Sequence, residues 1–260
     1  MLVTIMLQIT PINAFEDNYI WALCQPDNPN CAVVDPGDAD AVLRFLAQHN
    51  KQLSTILITH HHHDHTGGIQ RLKQQFADIN VIGPAEEQER INGLTLLVKH
   101  GDVVNLAEFS LKLDVIGVPG HTSGHIAFYS APVLFCGDTL FSAGCGRLFE
   151  GSPAQMWQSL QQLLQLPEST QIYCSHEYTL ANIKFALTIE PENSALIAYQ
   201  RDCLILRQAG EPTLPALLGR EKQVNPFLRC NDSGLQHLWQ KDSALELFRW
   251  LRASKDRFAG

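Results

Sequence analysis

Over the first two thirds of the chain, apolar residues come in short runs separated by turn residues: MLQITPI, NYIWALC, CAVVD, STILIT, INVIG, VVNLAEFSLKLDVIGVPG, HIAFYS, PVLFCGD and QIYCSH. Short runs of this kind, many of them rich in β-branched residues, predict strands. Three intervening stretches carry helical spacing instead. They are DADAVLRFLAQHN, with Asp38 as its N-cap, TGGIQRLKQQFA, and SPAQMWQSLQQLLQL, where Ser152 caps and Pro153 takes the first helical position. After His176 the pattern changes. TLANIKFALTIE, ENSALIAYQRDCLILRQAG and SALELFRWLRASKDRF all read as helices, with no comparable strand run between them. The expected class is therefore α+β, with a sheet-and-helix domain over residues 1–175 and a smaller helical domain over 176–260. No internal repeat or low-complexity stretch is visible.

Composition narrows the function classes. With 260 residues, 45% of them hydrophobic and 18% charged, the chain can bury a sizeable core. Lys+Arg number 19 against 27 Asp+Glu, a formal net charge of −8, so the basic field that drives sequence-independent nucleic-acid binding is missing. The seven cysteines are odd in number and form no CxxC pair. Cys24, Cys136 and Cys174 lie in apolar strand runs, where a reduced thiol behaves as a small hydrophobe. A reducing cytoplasm fits best. The opening MLVTIMLQITPINAF lacks a basic leader, and no segment approaches ~18 uninterrupted apolar residues. Export and membrane insertion are not expected, Met6 is a second candidate start, and a monomer is the expected state.

The densest chemistry is TILITHHHHDHTGG, residues 55–68. If residues 55–59 form a buried strand, His60 leaves its end, and in extended backbone His60 and His62 point one way while His61 and His63 point the other. His60 and His62 can then converge on one cation. Asp64 and His65 follow as the chain turns and can face a second, while Gly67 and Gly68 allow close approach at the start of a helix. Imidazole with carboxylate suits zinc, iron or manganese rather than calcium. A single run cannot complete two coordination spheres. Three later strands end the same way, on His121 in VIGVPGHTSGH, Asp138 in VLFCGDTL and His176 in IYCSHEY.

THHHHDH, GHTSGH, GDTLF and SHEYT, in this order, resemble the metallo-β-lactamase superfamily, and GDTLFSAGCGRLFEG with CSHEYTLANIKFA narrows the resemblance to its hydroxyacylglutathione hydrolase (glyoxalase II) family. It covers essentially the whole chain. It implies an αββα sandwich with a C-terminal helical domain, a first metal on His60, His62 and His121, a second on Asp64, His65 and His176, and Asp138 bridging both. His61, His63 and His125 fall outside that set and are expected to pack or to support ligands. Two divalent ions are implied, zinc foremost, with iron or manganese as alternatives.

Such a pair lowers the pKa of a shared water from about 15.7 to about 7, so a bridging hydroxide can attack an acyl carbonyl. Asp64 and Asp138 would be the catalytic carboxylates, as ligands that orient the water, and no serine or cysteine nucleophile is needed. The implied reaction takes S-(2-hydroxyacyl)glutathione, typically S-D-lactoylglutathione, to glutathione and a 2-hydroxy acid, the second step of glutathione-dependent methylglyoxal detoxification. An acidic protein that binds this anionic substrate needs local basic groups. Arg147 follows the bridging aspartate, Arg252 and Lys255 can share a face of the last helix, and Tyr178 follows His176. In the family these positions match residues that contact glutathione. Phe149 departs from the pattern, since a tyrosine is often found there. A persulfide dioxygenase with one iron, an RNA-processing nuclease and a non-catalytic metal-binding module are the competing readings. The complete ligand set, the negative charge and the basic residues, respectively, weigh against them.

Overall fold

A computed structural model of the chain describes residues 7–258. The alternative start at Met6, also the first residue of the first apolar run, lies outside the described residues. The chain divides into two compact units. The first runs up to Gly117 and adds Gly124–Ser130. Its six-stranded sheet orders β1 (Gln8–Ala14), β2 (Asn18–Cys24), β3 (Asn30–Val34), β4 (Gln52–Leu57), β5 (Asn80–Pro84) and β6 (Leu96–Val98) in sequence. The first three strands pair antiparallel and β3 to β6 pair parallel. Parallel neighbours need crossovers. Helix α1 (Ala39–His49) supplies the first, and α2 (His63–Thr66) with α3 (Ile69–Gln75) the second.

One face of this sheet is closed by those helices. Ile12, Ile20, Ala22 and Val33 pack with Val42, Phe45 and Leu46 of α1 and with Ile69 and Leu72 of α3. Asp38 caps α1 as expected, accepting from Asp40 N at 2.9 Å and Ala41 N at 3.3 Å. Gly68 shows why the histidine run ends in glycines: a Cβ there would lie 2.4 Å from Pro36 O. The same unit holds an antiparallel meander of β7 (Val103–Leu106), β8 (Leu111–Gly117) and β9 (Ile126–Ser130).

The second unit comprises Val118–Ser123 and the chain from Ala131 onward. Strand β10 (Val133–Gly137) leads into a small hairpin of β11 (Leu140–Phe141) and β12 (Gly144–Cys145). Helix α4 (Pro153–Leu163) starts with a Ser152–Gln155 capping box and Pro153 in its first turn, as its sequence predicts. It leads to β13 (Gln171–Cys174), parallel to β10, with β14 (Ala216–Leu217) antiparallel on its far side. The other helices are α5 (Thr179–Ile189), α6 (Ser194–Gln208), α7 (Leu218–Val224), α8 (Ser233–Leu238) and α9 (Ala244–Asp256). Ile183 and Ala186 of α5 pack on Leu196, Tyr199 and Cys203 of α6 and Val224 of α7. At their centre Glu221 is fully buried and accepts from Ala143 N at 2.7 Å, Asn225 Nδ2 at 3.0 Å and Ser142 Oγ at 3.0 Å. No helix among the described residues is long and apolar enough to cross a membrane. All seven cysteines are buried and free.

Candidate active site

In the first unit the chain leaves β4 at its C-terminal end and the histidine run begins. His60 Nε2 and His62 Nδ1 lie 3.1 Å apart, so the alternation expected of extended backbone brings these two rings together. His61 turns away onto the buried Glu87, Nδ1 to Oε2 at 2.9 Å, and Glu87 also accepts from Gly124 N. His63 opens α2 and is exposed. His125 stacks on His60 with ring centroids 4.5 Å apart. At the second position of α2, Asp64 Oδ2 comes 3.3 Å from His65 Nε2 and accepts from Asn18 Nδ2 at 3.0 Å.

Asp35 organises this set from behind. It sits at the end of β3 with φ +53, a left-handed conformation that aspartate tolerates better than most side chains. Its carboxylate accepts from Thr59 N at 2.8 Å and Thr59 Oγ1 at 2.7 Å and meets His65 Nδ1 at 3.1 Å. Thr59 Oγ1 in turn lies 3.0 Å from His60 Nδ1. The Nδ1 atoms of His60 and His65 are thus engaged, which leaves Nε2 as the ligating atom in each. Sequence reasoning missed Asp35. The signal was there, since CAVVDPG is another apolar strand ending on a carboxylate and a turn.

In the second unit the strand ends of β10 and β13 meet the segment that holds His121. Asp138 Oδ2 lies 3.4 Å from His121 Nε2 and 3.4 Å from His176 Nε2, one carboxylate oxygen between two imidazoles. His121 Nδ1 points at Arg147 O, 2.7 Å away, which again leaves Nε2 facing the carboxylate. The loop after β12 is pressed against this aspartate: a Cβ at Gly146 would fall 1.9 Å from Asp138 O, so no larger residue fits.

These separations test whether the residues suit a metal. Donors sharing a tetrahedral ion with bonds of about 2.0–2.1 Å are about 3.3–3.4 Å apart. The His–His, His–Asp and Asp–His spacings of 3.1–3.4 Å are of that size. Nitrogen and carboxylate donors of this kind take divalent transition metals. The donor sets of both units therefore fit.

The basic groups belong to the second unit. Arg147 is 57% exposed and its Nε lies 3.4 Å from Asp256 Oδ1. Tyr178 stacks flat on His176 with centroids 4.6 Å apart. Arg252 and Lys255, expected to share a face of α9, sit in different surroundings. Arg252 is 6% exposed, because its α9 position continues the buried line of Leu247, Phe248 and Leu251. Lys255 is half-buried over the rings of Phe185 and Phe258, with Nζ donating to Ala181 O at 3.2 Å. Burial, and after it the charge of Arg252, pulls its pKa down to about 8, with Asp256 and Cys145 opposing. If its ammonium grips an anionic substrate, KM should rise about tenfold as pH climbs through about 8, the loss of one charged hydrogen bond. In Lys255→Arg that rise should be absent, and a pH profile of KM for both proteins checks it.

Comparison with known proteins adds the lineage. The metallo-beta-lactamase superfamily matches residues 20–176, and the hydroxyacylglutathione hydrolase C-terminus matches residues 177–258. A hydroxyacylglutathione hydrolase of Vibrio cholerae is 52% identical over 97% of this chain and 100% of its own length. The chain belongs to the hydroxyacylglutathione hydrolase family. A second member, from Photobacterium profundum, is 51% identical over the same shares. The fold extends beyond the family: ETHE1 from Myxococcus xanthus superposes with a TM-score of 0.66 at 22% identity, covering 95% of this chain and 89% of that one. The fold is accordingly the metallo-β-lactamase fold in its α+β form with a C-terminal helical region, and the chain is a metal-dependent hydrolase that takes divalent ions. The Phe149 ring meets His121 edge-on at 5.3 Å while the side chain remains 60% exposed, and it offers no hydroxyl.

Proposed function

We propose that this protein hydrolyses the thioester of S-(2-hydroxyacyl)glutathione, S-D-lactoylglutathione in the first place, to glutathione and D-lactate. The observation that carries the reading is Asp138, whose single oxygen stands 3.4 Å from the ligating nitrogens of both His121 and His176. Its spacing supports a carboxylate shared between two ions, one held with His60, His62 and His121 and the other with Asp64, His65 and His176. Zinc is the proposed metal, with iron or manganese as alternatives. The division of labour between a catalytic domain, 1–175, and a substrate-binding helical domain, 176–260, is supported by the spans of the two matching families. A cytoplasmic monomer completes the proposal.

Bound divalent ions supply an acidified water and polarise the acyl carbonyl. The chain's own part is to hold donors and substrate still. Asp35, acting on His65 directly and on His60 through Thr59, fixes both rings; Asn18 orients Asp64. Arg147, Lys255, Arg252 and Tyr178 are the proposed groups for the glutathione moiety. Its departing thiolate has a conjugate acid of pKa about 8.5, so the chain needs no strong general acid at the sulfur.

The test offers lactoylglutathione to the purified protein without oxygen, alongside metal analysis. Loss of the thioester absorbance with two divalent ions per chain is expected. A strict need for oxygen, with a glutathione persulfide consumed in place of the thioester, would overturn the reading.

A further inference from the structure

Glu87 has no part in the proposed chemistry, yet it is only 2% exposed, at the end of the short 3₁₀ turn Ala85–Glu87 that follows β5. A buried carboxylate is costly unless its oxygens are bonded, so its place needs a reason. Both oxygens go to the histidine segments of the first unit. Oε2 meets His61 Nδ1 at 2.9 Å, and Oε1 accepts from Gly124 N at 3.1 Å.

Arg90 approaches the same imidazole from its other side, Nη1 to Nε2 at 3.1 Å. A guanidinium only donates, so Nε2 of His61 carries the lone pair and Nδ1 the hydrogen, which goes to Glu87. The ring is held at both nitrogens, and it belongs to the residue between His60 and His62. Since those two rings project away from His61 and toward each other, pinning His61 pins the pair. Glu87 also acts on His60 from a second segment. Gly124 precedes His125, whose ring stacks on His60 with centroids 4.5 Å and planes 18° apart. Only a group that accepts at both ends suits these partners. An amide of the same shape sets its NH2 either against Gly124 N–H or against His61 Nδ1–H, and moving that hydrogen to Nε2 would turn it on Arg90.

We infer that Glu87 is a positioning residue for the metal ion held by His60 and His62. By gripping His61 and Gly124 it presets the two rings as a ligand pair, and Arg90 closes the clamp. The inference rests on the reading of His60 and His62 as metal donors, and it adds to them residues that touch no ion.

The test titrates metal-free parent and variant proteins with Zn2+ against a chromophoric chelator and records the visible absorption of the Co2+-loaded forms. Glu87→Gln should weaken one of the two ions by about 10–100-fold, the usual cost of removing a partner behind a metal ligand, and shift the other far less. Its Co2+ absorption should change in shape, because His60 and His62 no longer hold one geometry. His61→Leu should follow it, and the double variant should be little worse than either single one, since both remove the same clamp. His61→Asn, whose amide N–H still reaches toward Glu87, should recover most of the affinity. Arg90→Ala, at an exposed position that tolerates truncation, should give a smaller loss at the same ion. If the folded Glu87 and His61 variants keep both parental affinities and the parental spectrum, whatever their Tm, Glu87 serves the fold alone; the inference is overturned and the metal reading stands. An equal loss at both ions with an unchanged spectrum overturns it in the same way. If the parent itself binds no divalent ion, the metal reading and the inference fall together.

Discussion

Asp138→Asn is expected to lower bound metal and kcat together, with kcat falling by on the order of 10²–10³-fold, a loss of about 3–4 kcal/mol in transition-state stabilisation. The amide is neutral and a weaker donor, and the position faces both His121 and His176 at 3.4 Å, so a single substitution weakens two partners. Local adjustment cannot compensate. Gly146 abuts the Asp138 carbonyl so closely that a Cβ would stand 1.9 Å from it, and the backbone there has no room to slide. Metal content by elemental analysis and turnover of lactoylglutathione measure the two losses. An Asn variant that holds both ions and turns over normally would remove Asp138 from the shared position.

The second large effect is on stability and has a pH signature. Burial lifts the Glu221 carboxyl from 4.5 to about 7, against the opposing hydrogen bonds from Ala143 N, Asn225 and Ser142. The raised folded-state value means that between pH about 4.5 and about 7 the folded protein keeps a proton that the unfolded chain has released. Stability from this group is therefore full below about pH 4.5 and declines as pH rises through about 7, by about 3 kcal/mol in all. Glu221→Gln should remove that decline. Its amide oxygen can accept from Ala143 N and Asn225 Nδ2, and its amide nitrogen can donate to Ser142 Oγ, which then donates to Tyr199 Oη, 2.7 Å away. Urea unfolding at pH 5 and pH 8 should show the Gln variant gaining on the parent at the higher pH. An equal difference at both values would mean that Glu221 ionises normally. Glu221→Leu, which strands all three donors, should cost about 3–5 kcal/mol at either pH.

What the sequence disclosed follows from how local each signal is. The candidate metal donors were legible because they follow closely on apolar strands, so strand pattern and ligand type are read in one glance. His60 comes three residues after β4, Asp138 one after β10 and His176 two after β13. The caps at Asp38 and Ser152 are equally local. Strands β6, β11, β12 and β14 have two or three residues each, too few for any periodicity, and were not foreseen. Helices α7 and α8, of seven and six residues, escaped for the same reason. The supporting residues were hidden differently. Glu221 finds Ala143 78 residues away, and Asn18 finds Asp64 46 residues away, pairings that no window of sequence displays. The burial of Arg252, read from the sequence only as a substrate contact sharing a helix face with Lys255, was not foreseen, although LELFRWLR places it one turn beyond Phe248, on the apolar line.

Arg252 also sets a schedule. It holds the Cys145 carbonyl across 107 residues of intervening chain. Ribosomes add about 5–20 residues per second, so the loop after β12 waits about 5–20 s for its strut. Through that interval the segments that carry the histidines and Asp138 are already synthesised, while the carbonyls of residues 145 and 146 lack the Arg252 guanidinium. The nascent protein thus acquires the means to bind metal before it acquires a fixed substrate loop. A message that terminates ahead of codon 252 yields a chain that has its candidate donor residues but lacks the guanidinium that holds the loop after β12.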